Sequence, residues 1–178
     1  SRGLGDVYKR QGMEGVRLEA EVLAIGVFSP YLKNLTKAVL NSDFQINDLV
    51  PSPLASARSA LRKREKELGV VLLDIGAGTT GIAVFEEGEL INTAVLPIGS
   101  SHITSDIAVG LKIDTELAEK IKLEFGTCNF RGNDKKEKIK LDEGETLVFS
   151  HKHLSEIIED RVSEIFGEVN KELKKIQK

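Results

Sequence analysis

The sequence predicts an α/β fold, a mixed sheet built around a meander with helices flanking it, on three observations. Over 70–97 three strand-like runs, at 70–74, 81–85 and 90–97, are separated by breaks short enough to be hairpins. On both sides of them apolar residues recur at helical spacing. The last of these stretches, from Ser150 to about Ile176, carries Leu154, Ile157, Ile158, Val162, Ile165, Phe166, Val169, Leu173 and Ile176 on one stripe that must bury against a domain.

The elements follow in order. The first eleven residues, SRGLGDVYKRQ, join no periodic pattern and resemble a translated adapter sequence, so 1–11 are set aside as a non-native scar and Met13 is not taken as a natural start. Alternation in VRLEAEV and the apolar run after it predict a strand over 16–27, ended by Ser29-Pro30. Ser29 as cap and Pro30 in the first turn open a helix carrying Leu32, Leu35, Val39 and Leu40. A short strand at 44–50 and an Ala-rich, then charged, helix at 54–68 follow. After the meander, whose turn at 86–89 contains Gly88, helices are predicted at 101–111 and, capped by Asp114, at 115–125. Residues 127–145 read as an exposed loop with one short strand near 139–141.

Composition narrows the function classes. A chain of 178 residues has room for one or two small domains. A net charge of -3 supplies no basic field for nucleic acid. The single Cys128 cannot form an internal disulfide, and His102, His151 and His153 are scattered without metal-ligand spacing, which fits a reducing cytoplasm. Apolar runs such as 22–28 fall far short of the roughly 20 residues a bilayer span needs. The charged stretches 62–67 and 135–140 read as solvated faces.

The chemistry concentrates in Asp74-Ile75-Gly76-Ala77-Gly78-Thr79-Thr80. A strand ends in a carboxylate, and two glycines then let the backbone turn tightly enough for several N–H groups to face one phosphate chain, with two hydroxyls following. Asp74 can hold a divalent cation through its waters. The pattern lacks the Gly-Lys-Ser/Thr of a Walker loop, and it returns as a strand where a dinucleotide-binding turn would lead into a helix. A purely structural Gly-rich hairpin is the competing reading.

DIGAGTTGIAVF resembles the second phosphate motif of the actin, heat-shock chaperone and sugar-kinase superfamily. MEGVRLEAEV at Met13, DLVPSPLASA at Asp48, the stretch from Glu89 through HITSDIAVGL to KLEFG, and LSEIIEDRVSEIF at Leu154 are similar to the FtsA family in order and spacing. The resemblance implies a partial actin-like ATPase (ribonuclease H-like) fold. Residues 12–68 would end the protruding subdomain and close the first lobe, and 69–178 would belong to the second lobe. It implies ATP and Mg as cofactors, with Asp74 on the cation's water shell and Gly76, Ala77, Gly78, Thr79 and Thr80 at the phosphates. Glu119 and Lys122 match the helix pair that reaches ribose and base, against the plainer reading of a solvated pair. The first phosphate loop, the adenine loop and the C-terminal membrane helix of the family are not matched, so the chain alone would bind nucleotide weakly or not at all.

Two departures stand out. Family members read GGGTTD where this chain has Ala77 and, in place of the acidic residue, Gly81. Ser52 stands before the second proline of PSPLASA where the family has Gln, a position that orients the attacking water; a short hydroxyl implies slow or absent hydrolysis. The function implied is a cytoplasmic, self-associating protein at the inner face of the cell membrane that binds the FtsZ C-terminal tail at the septum. Arg161 and Lys152 are candidates for that contact, against a snorkelling surface arginine. His102 reads as a helix-start cap, and Thr104 and Asp106 as local hydrogen-bonding groups. A PilM-like pilus-assembly protein shares DIGAGTT but ranks lower on GVRLEAEV and HITSDIAVGL. A phosphotransferase or chaperone-type ATPase would require an activating carboxylate or Gln near Ser52.

Overall fold

The computed structural model describes residue 19 and residues 22–140 and 146–176. They form α1 (Ser29–Leu40), α2 (Ser52–Ala60), α3 (Lys63–Leu68), β1 (Val70–Ile75), β2 (Thr80–Glu86), β3 (Glu89–Leu96), α4 (Ser100–Leu111), α5 (Thr115–Phe125), β4 (Lys136–Lys140), β5 (Thr146–Ser150) and α6 (His151–Ile176). Two compact units result, one from the residues up to Asp74 with Gly81–Ala94, the other from Ile75–Thr80 with the residues from Val95 on.

The first unit holds most of the meander. Its strands lie in the order β1-β2-β3, and connections this short can join only antiparallel neighbours. Glu87 and Gly88 both take positive φ, 51° and 87°, the primed hairpin turn that matches strand twist. The Gly88 amide then donates to Lys66 O at the end of α3 (3.0 Å), and Lys66 Nζ lies 5.0 Å from the centre of the Phe85 ring. Ala57 of α2 packs with Ala83 and Phe85 of β2, with Leu54, Leu61, Val70, Leu72 and Leu90 around them.

The helix predicted at 54–68 is two helices. Leu61 leaves helical geometry (φ -100°, ψ 132°) and packs against the Ala57–Phe85 cluster, and Arg62 restarts the helix with its amide held by Glu65 Oε2 at 2.7 Å. A tertiary contact and a new cap together outweigh continuous propensity. No described strand covers 22–27 or 44–50; residues 16–18, 20 and 21 of the first predicted strand lie outside the described residues. A strand needs a neighbour for its ladder, and among the described residues neither segment has one. Ser29 is the first helical residue of α1, with Phe28 in the capping position and no side-chain cap.

The second unit is built on Ile107, Ala108, Ala118, Ile121, Phe149, Leu154 and Ile158, which bring α4, α5, β5 and α6 onto one core. Asp114 Oδ1 accepts the Leu117 amide at 2.9 Å and so starts α5 as the sequence predicts. Ser150 ends β5, and its Oγ accepts the His153 amide (3.0 Å), capping α6. The strand predicted near 139–141 is β4, and β5 pairs with it antiparallel, Lys138 opposite Val148. That ribbon escaped sequence reading because the inward face of β4 offers one apolar side chain, Ile139, beside Glu137. No described helix is long and apolar enough to cross a membrane.

Candidate phosphate site

The turn between β1 and β2 is held from one side. Gly76 O accepts the Ser100 amide (2.9 Å), and Ala77 O accepts both the Ser101 amide (2.8 Å) and Ser101 Oγ (2.7 Å). A helix start leaves its first amides without intrahelical partners. Here the turn's carbonyls fill two of them, while the His102 amide takes Gly99 O (3.1 Å) and His102 Nδ1 accepts the Gly99 amide (3.1 Å). His102 therefore caps α4 as expected. The approach is close enough that a Cβ at Gly99 would stand 2.5 Å from both carbonyl oxygens.

This seating fixes where the turn's donors point. In a trans peptide the C=O and the following N–H are directed oppositely, and the described chain has no cis bond. With Gly76 O and Ala77 O aimed at α4, the Ala77 and Gly78 amides must point away from it. Neither of these, nor the Thr79 amide, has an acceptor among the described residues, and Ala77, Gly78 and Thr79 are exposed. The Gly76 amide closes the turn onto Thr79 O at 2.9 Å. Consecutive outward amides beside a free threonine hydroxyl fit a polyanion. Thr80 differs from the expectation: it is fully buried and its hydroxyl donates to Ile98 O (2.7 Å), anchoring the start of β2.

In the other unit, Asp74 near the end of β1 accepts a hydrogen bond from Ser56 Oγ of α2 onto Oδ2 (2.7 Å). Oδ1 has no protein partner among the described residues, so an oxygen remains for the water shell of a cation. Ser56 lies eighteen residues away, and sequence reading missed it; its only signal was a hydroxyl inside PLASA. Gly81 has a packing reason, since a Cβ there would come within 2.7 Å of Pro53 Cγ. Ser52 is exposed at the start of α2. No group of three or more potential metal-ligating side chains occurs among the described residues.

Glu119 and Lys122 meet through Lys122 Nζ and Glu119 Oε2 at 2.6 Å. Thr104 of α4 donates to that same oxygen (2.5 Å) and accepts from Lys122 (2.9 Å); it keeps the expected local contact, with Ser100 O at 3.5 Å, but its shorter partners lie on α5. Hydrogen bonds from Lys122 and then Thr104 hold the Glu119 carboxyl below its usual range. Asp106 likewise reaches across the fold: Arg161 donates to it through Nε (2.5 Å) and Nη2 (2.8 Å) and to Glu164 through Nη1 (2.6 Å). These residues, with Val109, Gly110, Ile157 and Asp160, line a groove of about 390 Å³. Lys152, beside Glu156 at 3.8 Å, is exposed, and nine residues at about 100° each place it on the side of α6 opposite Arg161.

The model of the family Cell division protein FtsA matches residues 71–171. The chain is 38% identical over 175 residues to the Cell division protein FtsA of Bacillus subtilis (strain 168), covering 97% of this chain and 40% of that protein. It is 39% identical over 167 residues to that of Pseudomonas aeruginosa, covering 92% and 40%. The chain thus spans about 40% of the length of the curated relatives it matches. Among solved structures, MreB5 of Spiroplasma citri bound to ADP superposes with a TM-score of 0.68 at 18% identity, over 84% of this chain and 49% of that one, a likeness of fold. The fold is the actin-like ATPase fold.

The lowered Glu119 pKa has a testable sign. A carboxylate favoured in the folded state contributes its stability above the unfolded pKa and loses it as pH falls through the folded value. The stability advantage of the native chain over Glu119→Gln, measured by urea unfolding, is expected to shrink between about pH 5 and pH 3. A pH-independent difference would show that the charge of Glu119 is not what the pair stabilises.

Proposed function

The chain belongs to the FtsA family of cell division proteins, and from that premise we propose that it supplies the second-lobe phosphate loop of an ATP-binding, self-associating protein that tethers FtsZ at the septum. In this reading 12–68 close the first lobe and 69–178 belong to the second, and the whole protein works in the cytoplasm, held to the membrane by a C-terminal helix. The observation that carries the nucleotide part is the pair of outward-directed amides at Ala77 and Gly78, with the Thr79 amide beside them lacking an acceptor among the described residues. The amides of Ala77, Gly78 and Thr79, with the Thr79 hydroxyl, bind phosphate oxygens; Asp74, steadied by Ser56, orients the water shell of Mg. Thr80 serves by anchoring β2. Bound nucleotide would supply a polyanion and its cation. Ser52 has too short a side chain to orient an attacking water as a carboxamide would, which favours slow or absent hydrolysis and a nucleotide that sets conformation.

The α4–α6 groove supports the partner part. It offers exposed Val109 between the acidic Asp160 and Glu164 and the guanidinium of Arg161, a surface suited to a short peptide with apolar and charged side chains. Arg161 stays paired with Asp106 while forming its wall. Lys152, on the opposite side of α6, would serve such a peptide only through a separate contact.

Two measurements check these assignments in a full-length protein carrying this sequence. Thr79→Val is expected to weaken Mg-ATP binding about tenfold by calorimetry, the loss of one hydrogen bond to a charged group, and to shift stability by less than about 0.5 kcal/mol, as at other exposed sites. Unchanged affinity would remove the hydroxyl from the site. For the groove, Val109→Glu removes its apolar wall and is expected to weaken binding of the cognate FtsZ tail peptide by about 1 to 3 kcal/mol in fluorescence anisotropy, with Lys152→Glu near neutral. Equal loss in both variants would place the peptide elsewhere.

A further inference from the structure

The Lys122 ammonium is fully engaged inside the protein. It has three N–H groups and three acceptors within reach: Glu119 Oε2 (2.6 Å), Thr104 Oγ1 (2.9 Å) and, at longer range, Ser100 O (3.4 Å). A lysine so placed has no donor left for a ligand unless it gives up a partner. Glu119 differs. Its Oε2 takes both Lys122 and Thr104, Oε1 has no partner among the described residues, and its side chain is 44% exposed. The pair therefore presents an acceptor, not a donor, to solvent.

Thr104 ties this arrangement together, its hydroxyl lying far closer to Glu119 Oε2 (2.5 Å) than to its other acceptor, Ser100 O (3.5 Å). It is buried on α4, one turn after Ser100, and its hydroxyl is at once donor to the carboxylate and acceptor from the ammonium. Ser100 in turn accepts Lys122 on its carbonyl and gives its amide to Gly76 of the phosphate turn. The first turn of α4 thus holds the phosphate loop at one end and the Glu119–Lys122 pair at the other.

Resting on the nucleotide reading above, we propose that Thr104 is a positioning residue for the nucleoside end of the site. By bridging Lys122 and Glu119 it fixes Glu119 with Oε1 free to accept a hydrogen bond from a ribose hydroxyl, while Lys122 braces the pair without touching the ligand. The carboxylate, an obligate acceptor when ionised, would then read hydroxyl donors on the sugar.

The test compares ADP with 2′,3′-dideoxy-ADP and with tripolyphosphate, by calorimetry, in a full-length protein carrying this sequence. The unaltered protein is expected to prefer ADP over the dideoxy analogue about tenfold, one hydrogen bond to a charged acceptor. Thr104→Val should bring that ratio near one and leave tripolyphosphate affinity within about twofold, and Thr104→Ser, which keeps the hydroxyl, should restore the preference. A general loss of structure would lower all three ligands together and leave the ratio between ADP and its analogue in place. If the unaltered protein binds no ADP, or shows no preference for its hydroxyls, the nucleotide reading itself is overturned at this end. If it shows the preference and Thr104→Val keeps it, or Thr104→Ser fails to restore it, the role of Thr104 alone is overturned.

Discussion

Two peptide carbonyls seated on the start of one helix set the geometry on which the rest of the second unit depends. Gly76 O and Ala77 O occupy the Ser100 and Ser101 amides, which would otherwise be orphan donors at the N-terminus of α4. A helix start is itself a ready anion site, and filling it with carbonyls moves that capacity elsewhere. Because each trans peptide opposes its C=O to its N–H, the bonds that close one face of the turn open the other, and the Ala77 and Gly78 amides face outward. Gly99 is the condition for it, since any Cβ there would meet both carbonyls.

The same helix distributes this order further. His102 closes its cap, Thr104 ties it to Glu119 and Lys122 on α5, and Asp106 ties it to Arg161 on α6. These three side chains project from every second position of one short segment, so α4 acts as a common support for the 76–79 turn, the α5 pair and the α4–α6 groove. The Arg161 pair is bidentate and half-buried, the geometry in which an ion pair contributes more than the small amount typical of exposed bridges. Around them the apolar contacts of Ile107, Ile121, Leu154 and Ile158 do the bulk stabilising, and the polar ties determine where each helix points.

What could be read in the sequence was local. The glycine pattern of the turn, the Asp114 cap, the hairpin at Glu87-Gly88 and the stripe of α6 each rest on residues within a few positions of one another, and each appears where periodicity or turn chemistry placed it, except that Phe166, counted in the stripe, lies at its margin and is exposed. What could not be read was set across the chain. Ser56 reaches Asp74 over eighteen residues and Arg161 reaches Asp106 over fifty-five, and no spacing rule announces either. Leu61 breaks a helix that propensity favours because it packs on the cluster of Ala57, Ala83 and Phe85. Thr80 has the same side chain as Thr79 and sits beside it in the motif, yet one is exposed and the other buried with its hydroxyl on Ile98 O, a difference set by a contact eighteen residues away.

In the proposed function the turn's amides, not the helix start, are the phosphate donors. That assignment is tested most directly by following backbone amides in a nitrogen-labelled full-length protein as tripolyphosphate with Mg is added. The geometry requires the largest shifts at Ala77, Gly78 and Thr79, with the Ser100 and Ser101 amides staying hydrogen-bonded to Gly76 and Ala77 and slow to exchange. Large shifts and faster exchange at Ser100 and Ser101, with Ala77 and Gly78 unmoved, would contradict it and place the anion on the helix.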